Sequence, residues 1–143
     1  MNPKEDVEQL MNEGIDFAAK MLREHGEFYP FGVVRKADGN IQHVGAADGT
    51  EHPPSPVLID ILRTSYRQEA QEGRYSATAM FYDVRIIPPG KTAKSDAIQV
   101  ELEHSAGYCA NVFFPYTRDS VGNVSFGELF ASKRDLTVFG KVS

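Results

Sequence analysis

The chain holds one cysteine, Cys109, and no tryptophan among its 143 residues. A lone thiol excludes an internal disulfide, so cysteine usage gives no sign of an oxidising compartment. The paired-cysteine and His-Glu-x-x-His spacings of zinc sites are missing, and His25, His43, His52 and His104 stand far apart, so no metal site and no cofactor are expected. No stretch approaches the ~18 apolar residues a membrane helix requires. The opening Met1-Asn2-Pro3-Lys4-Glu5-Asp6 lacks the apolar run of a signal peptide. A cytoplasmic protein with no membrane partner is therefore expected, which leaves the Asn123-Val124-Ser125 sequon without consequence. Basic charge is scarce too: 15 Lys and Arg face 20 Asp and Glu, for a net charge of −5, and they form no stripe. Nucleic acid is thereby ruled out as an expected partner. Repeats, low-complexity tracts and interdomain linkers are lacking as well, which predicts one domain over 1–143.

What is present suits a packed core. Hydrophobic residues make up 41% of the chain, with nine Phe and six Tyr, which excludes a disordered chain. Asn2, Pro3 and Glu5 read as N-cap, N1 and N3 of a helix whose apolar residues recur at helical spacing to Gly26, so 3–25 is predicted helical. Asp38-Gly39 signals a hairpin between strands 31–36 and 41–46. Residues 48–54 are a loop by composition, and Ser55-Pro56 starts a second helix that ends at Gly73. The remainder is β-rich, with strands expected at 75–87, 97–104, 108–116 and 124–131, while the last dozen residues fit no element. The order α-ββ-α-ββββ predicts an α+β fold: an antiparallel sheet of about five to six strands with two helices packed on one face.

Register follows from keeping apolar residues on the buried face. Pairing His104 with Tyr108 sets Ile98, Val100 and Leu102 opposite Phe114, Val112 and Ala110. Pairing Ile86 with Ile98 sets Val84 and Tyr82 beside Val100 and Leu102. The outer face then carries Phe81, Asp83 and Arg85, next Gln99, Glu101 and Glu103, then Cys109, Asn111 and Phe113, with Asp83 opposite Glu101. Two readings of this patch compete. Adjacent carboxylates at Asp83, Glu101 and Glu103 would divide acid and base roles or hold a divalent cation. Alternatively, this is a solvated sheet face on which Arg85 relieves repulsion, and Phe81 and Phe113 mark a protein-contact surface.

Other features carry less. Glu103 beside Cys109 would raise the thiol pKa, which argues against a nucleophile. His104, at the end of an apolar face, reads as a satisfied core histidine. Gly90-Lys91-Thr92 resembles the end of a phosphate-binding loop, yet Arg85 stands where that loop needs glycine and a strand follows instead of a helix. Gly127 is expected to mark a bulge that returns Leu129 to the core and turns Glu128 outward. The aromatic corner Phe28-Tyr29-Pro30-Phe31-Gly32 is expected to pack the first helix on the sheet.

That corner, the Asp38-Gly39 turn, Asp96-Ala97-Ile98 through Leu102-Glu103-His104, Pro115-Tyr116 and Gly127-Glu128-Leu129-Phe130 together resemble small uncharacterised bacterial proteins. The resemblance implies a bacterial cytosolic protein and transfers no activity and no site residue. From the residues themselves, the first expectation is a non-catalytic interaction module. It would bind another protein or itself, as a homodimer, through Phe81, Arg85, Asn111 and Phe113. The alternative is a small metal-assisted or acid/base enzyme using Asp83, Glu101 and Glu103. A pocket between helix and sheet for a small apolar molecule is a third reading.

Overall fold

The computed structural model describes residues 2–140; Met1 and the last three of the unassigned closing dozen lie outside the described residues. Helix α1 spans Pro3–His25. Its first turn is closed by Asn2, whose side chain accepts a hydrogen bond from the Glu5 N–H at 3.2 Å, and Glu5 and Asp6 complement the positive helix end. It stops at Gly26, which takes the left-handed conformation (φ 75°) and donates its N–H to the Leu22 carbonyl. The hairpin β1 (Phe31–Lys36) and β2 (Ile41–Val44) follows, turning on Asp38, whose carboxylate accepts from the Asn40 N–H. Helix α2 spans Ser55–Gln71 and begins with no side-chain cap, its N-cap position being Pro54. Strands β3 (Tyr75–Ile86), β4 (Ser95–His104) and β5 (Cys109–Arg118) come next, then the short β6 (Val124–Phe126) and β7 (Phe130–Ser132).

All pairings are antiparallel, in the order β2-β1-β3-β4-β5-β6, with β7 also on β5, making seven strands where five to six were expected. Class and element order agree with the sequence, as does the β4–β5 register, in which Ile98, Val100 and Leu102 oppose Phe114, Val112 and Ala110. The helices, however, do not share a face. Alternate residues of a strand point to opposite sides. Phe81 of β3 meets α1 at Gly14, while Met80 packs with Leu62 and Tyr66 of α2. The main core therefore lies between α1 and the sheet, built from Val7, Leu10, Ala18 and Leu22 against Val33, Phe81, Val100 and Phe114. A second, smaller core lies on the other face.

The second core contains one surprise. The closing stretch after β7 is an irregular segment that runs across the α2 side of the sheet. Val138 is 7% exposed and packs with Val34, Leu62, Tyr66 and Met80. Near Gly127 the expected single strand is broken instead into β6 and β7, with the Gly127 N–H donating to the Pro115 carbonyl at 2.8 Å. Glu128 points outward as expected, but Leu129 stays 46% exposed and does not return to the core.

Candidate functional site

The expected β3–β4 register is overturned. Phe81 pairs with Val100 and Asp83 with Ile98, so Ile86 meets Ser95. The displacement is an odd number of residues, and an odd slip moves every β3 side chain to the other face. Asp83 and Arg85 therefore lie on the α1 side, separated by the sheet from Glu101 and Glu103. Phe81 is not an outer-face contact residue: it is fully buried beneath α1 and stacks on Phe31 with ring centroids 4.8 Å apart. Arg85 is exposed and stands opposite Asp96. The three carboxylates thus form no common site, and among the described residues no group of three His, Cys, Asp or Glu side chains is placed to hold a metal ion.

Glu101, Glu103, Cys109, Asn111 and Phe113 do share the α2 side, where the two glutamates are buried. Glu101 accepts from Arg63 of α2 at 2.9 and 3.0 Å and from the Tyr82 hydroxyl at 2.5 Å, with Arg134 at 3.1 Å. Glu103, 1% exposed, accepts from Arg134 at 2.6 Å, from the Thr137 hydroxyl at 2.8 Å, and from the Thr137 and Val138 N–H groups at 2.9 and 2.8 Å. Burial pushes the Glu103 carboxyl up, but Arg134, the Val138 N–H and Thr137 together outweigh it and hold it below the ordinary value. Asn111 accepts from Arg134 at 3.2 Å, and Phe113 stacks on Phe130. The Cys109 thiol donates to the Arg134 carbonyl; burial first, and then Glu103, raise its pKa. Lone pairs engaged this fully have no capacity left to take a substrate proton or a cation. The cluster is a clasp that ties the closing segment to β4.

On the α1 side, Tyr116 donates to Asp83 at 2.9 Å. Protein packed around the Asp83 carboxyl raises its pKa against the lowering effect of that bond, and Asp96 raises it further. His104 is fully buried; its Nδ1 accepts from the Ala106 N–H at 3.0 Å, and its Nε2–H donates to the Asp6 carboxylate at 2.9 Å. It is the satisfied core histidine that the sequence suggests.

A cleft lies elsewhere, where the β3–β4 loop faces the β6–β7 connection across the end of β5. This cleft encloses about 710 Å³; Pro88, Lys91 and Lys94 form one wall, Phe126 and Leu129 the other, and Pro115 and Tyr116 the floor. Phe126 and Leu129 are 40% and 46% exposed, and Tyr116 joins the cleft floor to the main core. Sequence reasoning missed these residues because they are brought together from three segments with no shared motif. It also missed Arg63, Tyr82 and Arg134. A signal for these existed: a strand as apolar as β4 that turns two glutamates inward must find cations for them.

Comparison of the chain with protein-family models, with curated proteins and with solved structures gives no match. The likeness to uncharacterised bacterial proteins gains no support from them.

Proposed function

We propose that this chain is a non-catalytic binding module that takes an extended, apolar segment of another protein into the cleft between the β3–β4 loop and the β6–β7 connection. The observation that carries this reading is the cleft itself. Its volume of about 710 Å³ falls within the roughly 300–1,000 Å³ of ligand-binding pockets. Large apolar side chains left in water in a concave setting favour a partner. A strand edge accompanies them: β6 ends the sheet order, so among the described residues its outer backbone edge carries no neighbouring strand, and Gly127 to Leu129 lie outside both short strands. An extended peptide satisfies such an edge by main-chain hydrogen bonds while its alternate side chains fill the adjoining hollow.

The carboxylate-enzyme reading loses its support at the same point. Two of its three residues are neutralised by Arg63 and Arg134, and Asp83 lies across the sheet from them. Self-association through Phe81 loses support likewise, since that ring is part of the core.

Selection from a displayed random peptide library, followed by amide chemical-shift mapping, tests the proposal. Enriched peptides should perturb the amides of Lys94, Ser95 and Ser125 to Leu129, and Leu129→Asp should abolish their binding. Absence of enrichment, or binders indifferent to Leu129→Asp, would sink it.

A further inference from the structure

We infer that the segment accepted by this cleft is acidic, carrying Asp or Glu between its apolar residues on the side that meets the β3–β4 loop. This inference rests on the peptide-binding reading above and adds the charge of the partner. Lys91 and Lys94 line one wall, and both are exposed. Among the described residues neither has a carboxylate within ion-pair distance, whereas Arg63, Arg74 and Arg134 are all spent on internal partners. Glu128 on the facing wall is the lone acidic lining residue and Asp83 stands beyond the floor, bonded to the Tyr116 hydroxyl, so the cationic character of the cleft is confined to the loop side. The rest of the chain is anionic, at −5 overall. At long range the protein repels an acidic partner, so recognition must come from the two lysines at short range, within a Debye length of ~10 Å. Apolar residues of the segment would reach Phe126, Leu129 and Pro115, and the intervening side chains of a strand point the opposite way, towards the rim. Lysine suits that rim, because its apolar stem can cover apolar surface while the ammonium group stays in water.

Fluorescence anisotropy with three synthetic decapeptides tests this. All three alternate leucine with a second residue, which is aspartate, serine or lysine. The aspartate peptide should bind about fivefold more tightly than the serine peptide, the sum of two exposed ion pairs, and the lysine peptide should bind weakest. The difference should shrink at ~0.5 M salt. The double variant K91E/K94E should reverse the order while leaving the urea midpoint unchanged, because both side chains are exposed. Equal binding of the three peptides, or an order that survives K91E/K94E, would overturn the acidic preference and leave the cleft as a peptide site. If none of the three binds, the binding-module reading falls, and the preference with it.

Discussion

The Glu103 carboxylate on β4 accepts the Val138 backbone N–H at 2.8 Å, joining the middle of the sheet to the chain's closing segment. Arg134 and Thr137, from the same segment, complete its shell. Removing one partner of a buried ion pair leaves an uncompensated charge, at a cost of about 3–5 kcal/mol. Glu103→Leu is expected to lose about 3 kcal/mol in urea unfolding, the low end of that range, since Arg134 keeps Glu101, Asn111 and the Thr137 hydroxyl while the buried Val138 N–H loses its acceptor. Adding Arg134→Met should recover part of the loss, because the stranded cation goes too, and the two changes should be non-additive. Amide exchange at Thr137 and Val138 should accelerate in the single variant well before global unfolding. Simple additivity of the two substitutions would show that the clasp is not a coupled unit.

A second buried pair stands at the opposite face. The Ala106 N–H donates to His104 Nδ1, so the ring proton sits on Nε2 and is given to Asp6 at the start of α1. Asp6→Leu strips the acceptor from a fully buried donor and is expected to cost about 1–3 kcal/mol. Asp6→Asn keeps an acceptor oxygen and should cost distinctly less. The ring nitrogen shifts of His104 in NMR spectra check the tautomer directly; a proton on Nδ1 would contradict this arrangement.

Much of the fold was legible because its local signals are strong. The span of α1 follows from Asn2-Pro3 and Gly26, and β4 alternates cleanly enough to set its register on β5. The β3 strand defeated the same logic for a physical reason. Residues Ala77 to Phe81 are buried on both sides because α1 and α2 cover opposite faces, and a strand buried twice has no period-two pattern. Only its outer half, Tyr82-Asp83-Val84-Arg85-Ile86, alternates, and the phase read there placed Phe81 outside. The clasp and the cleft were illegible for another reason. Arg134 and Val138 belong to a segment without secondary structure, and the cleft lining comes from three stretches of chain that only the folded sheet brings together.

The buried position of Phe81 makes a sharp prediction at Gly14. Alanine in a helix interior ordinarily gains up to about 1 kcal/mol over glycine. Here a Cβ would fall within the Phe81 ring, and overpacking of that kind costs about 1–3 kcal/mol. Gly14→Ala should therefore lower the thermal midpoint, and Phe81→Leu in the same chain should restore part of it by shrinking the obstacle. Phe81→Ala alone should cost about 3–5 kcal/mol and leave the elution volume of the folded protein unchanged. A Gly14→Ala variant as stable as the parent would mean that α1 stands further from β3 than described.

The last prediction concerns alkaline pH. The phenols of Tyr66, Tyr82 and Tyr116 all titrate above the ordinary value of 10.0, with burial the largest cause in each; hydrogen bonds to Glu101 and Asp83 add to it for Tyr82 and Tyr116. A group whose pKa is raised in the folded state contributes stability that is complete below its unfolded pKa and is lost as pH climbs beyond it. Between pH 7 and 9.5 the three phenols should therefore leave the urea midpoint unaffected. Above pH ~10 the unfolded chain sheds these protons while the folded chain keeps them, and stability should fall by up to about 4 kcal/mol per pH unit for three groups. Tyr82→Phe should reduce that slope by about a third, since one proton is removed from the balance. Absorbance at ~295 nm distinguishes the mechanism, because phenolate from these three should appear only together with the loss of near-ultraviolet dichroism. Their ionisation near pH 10 in a chain that is still folded would show that water reaches the hydroxyls and that the two tyrosine–carboxylate bonds do not hold.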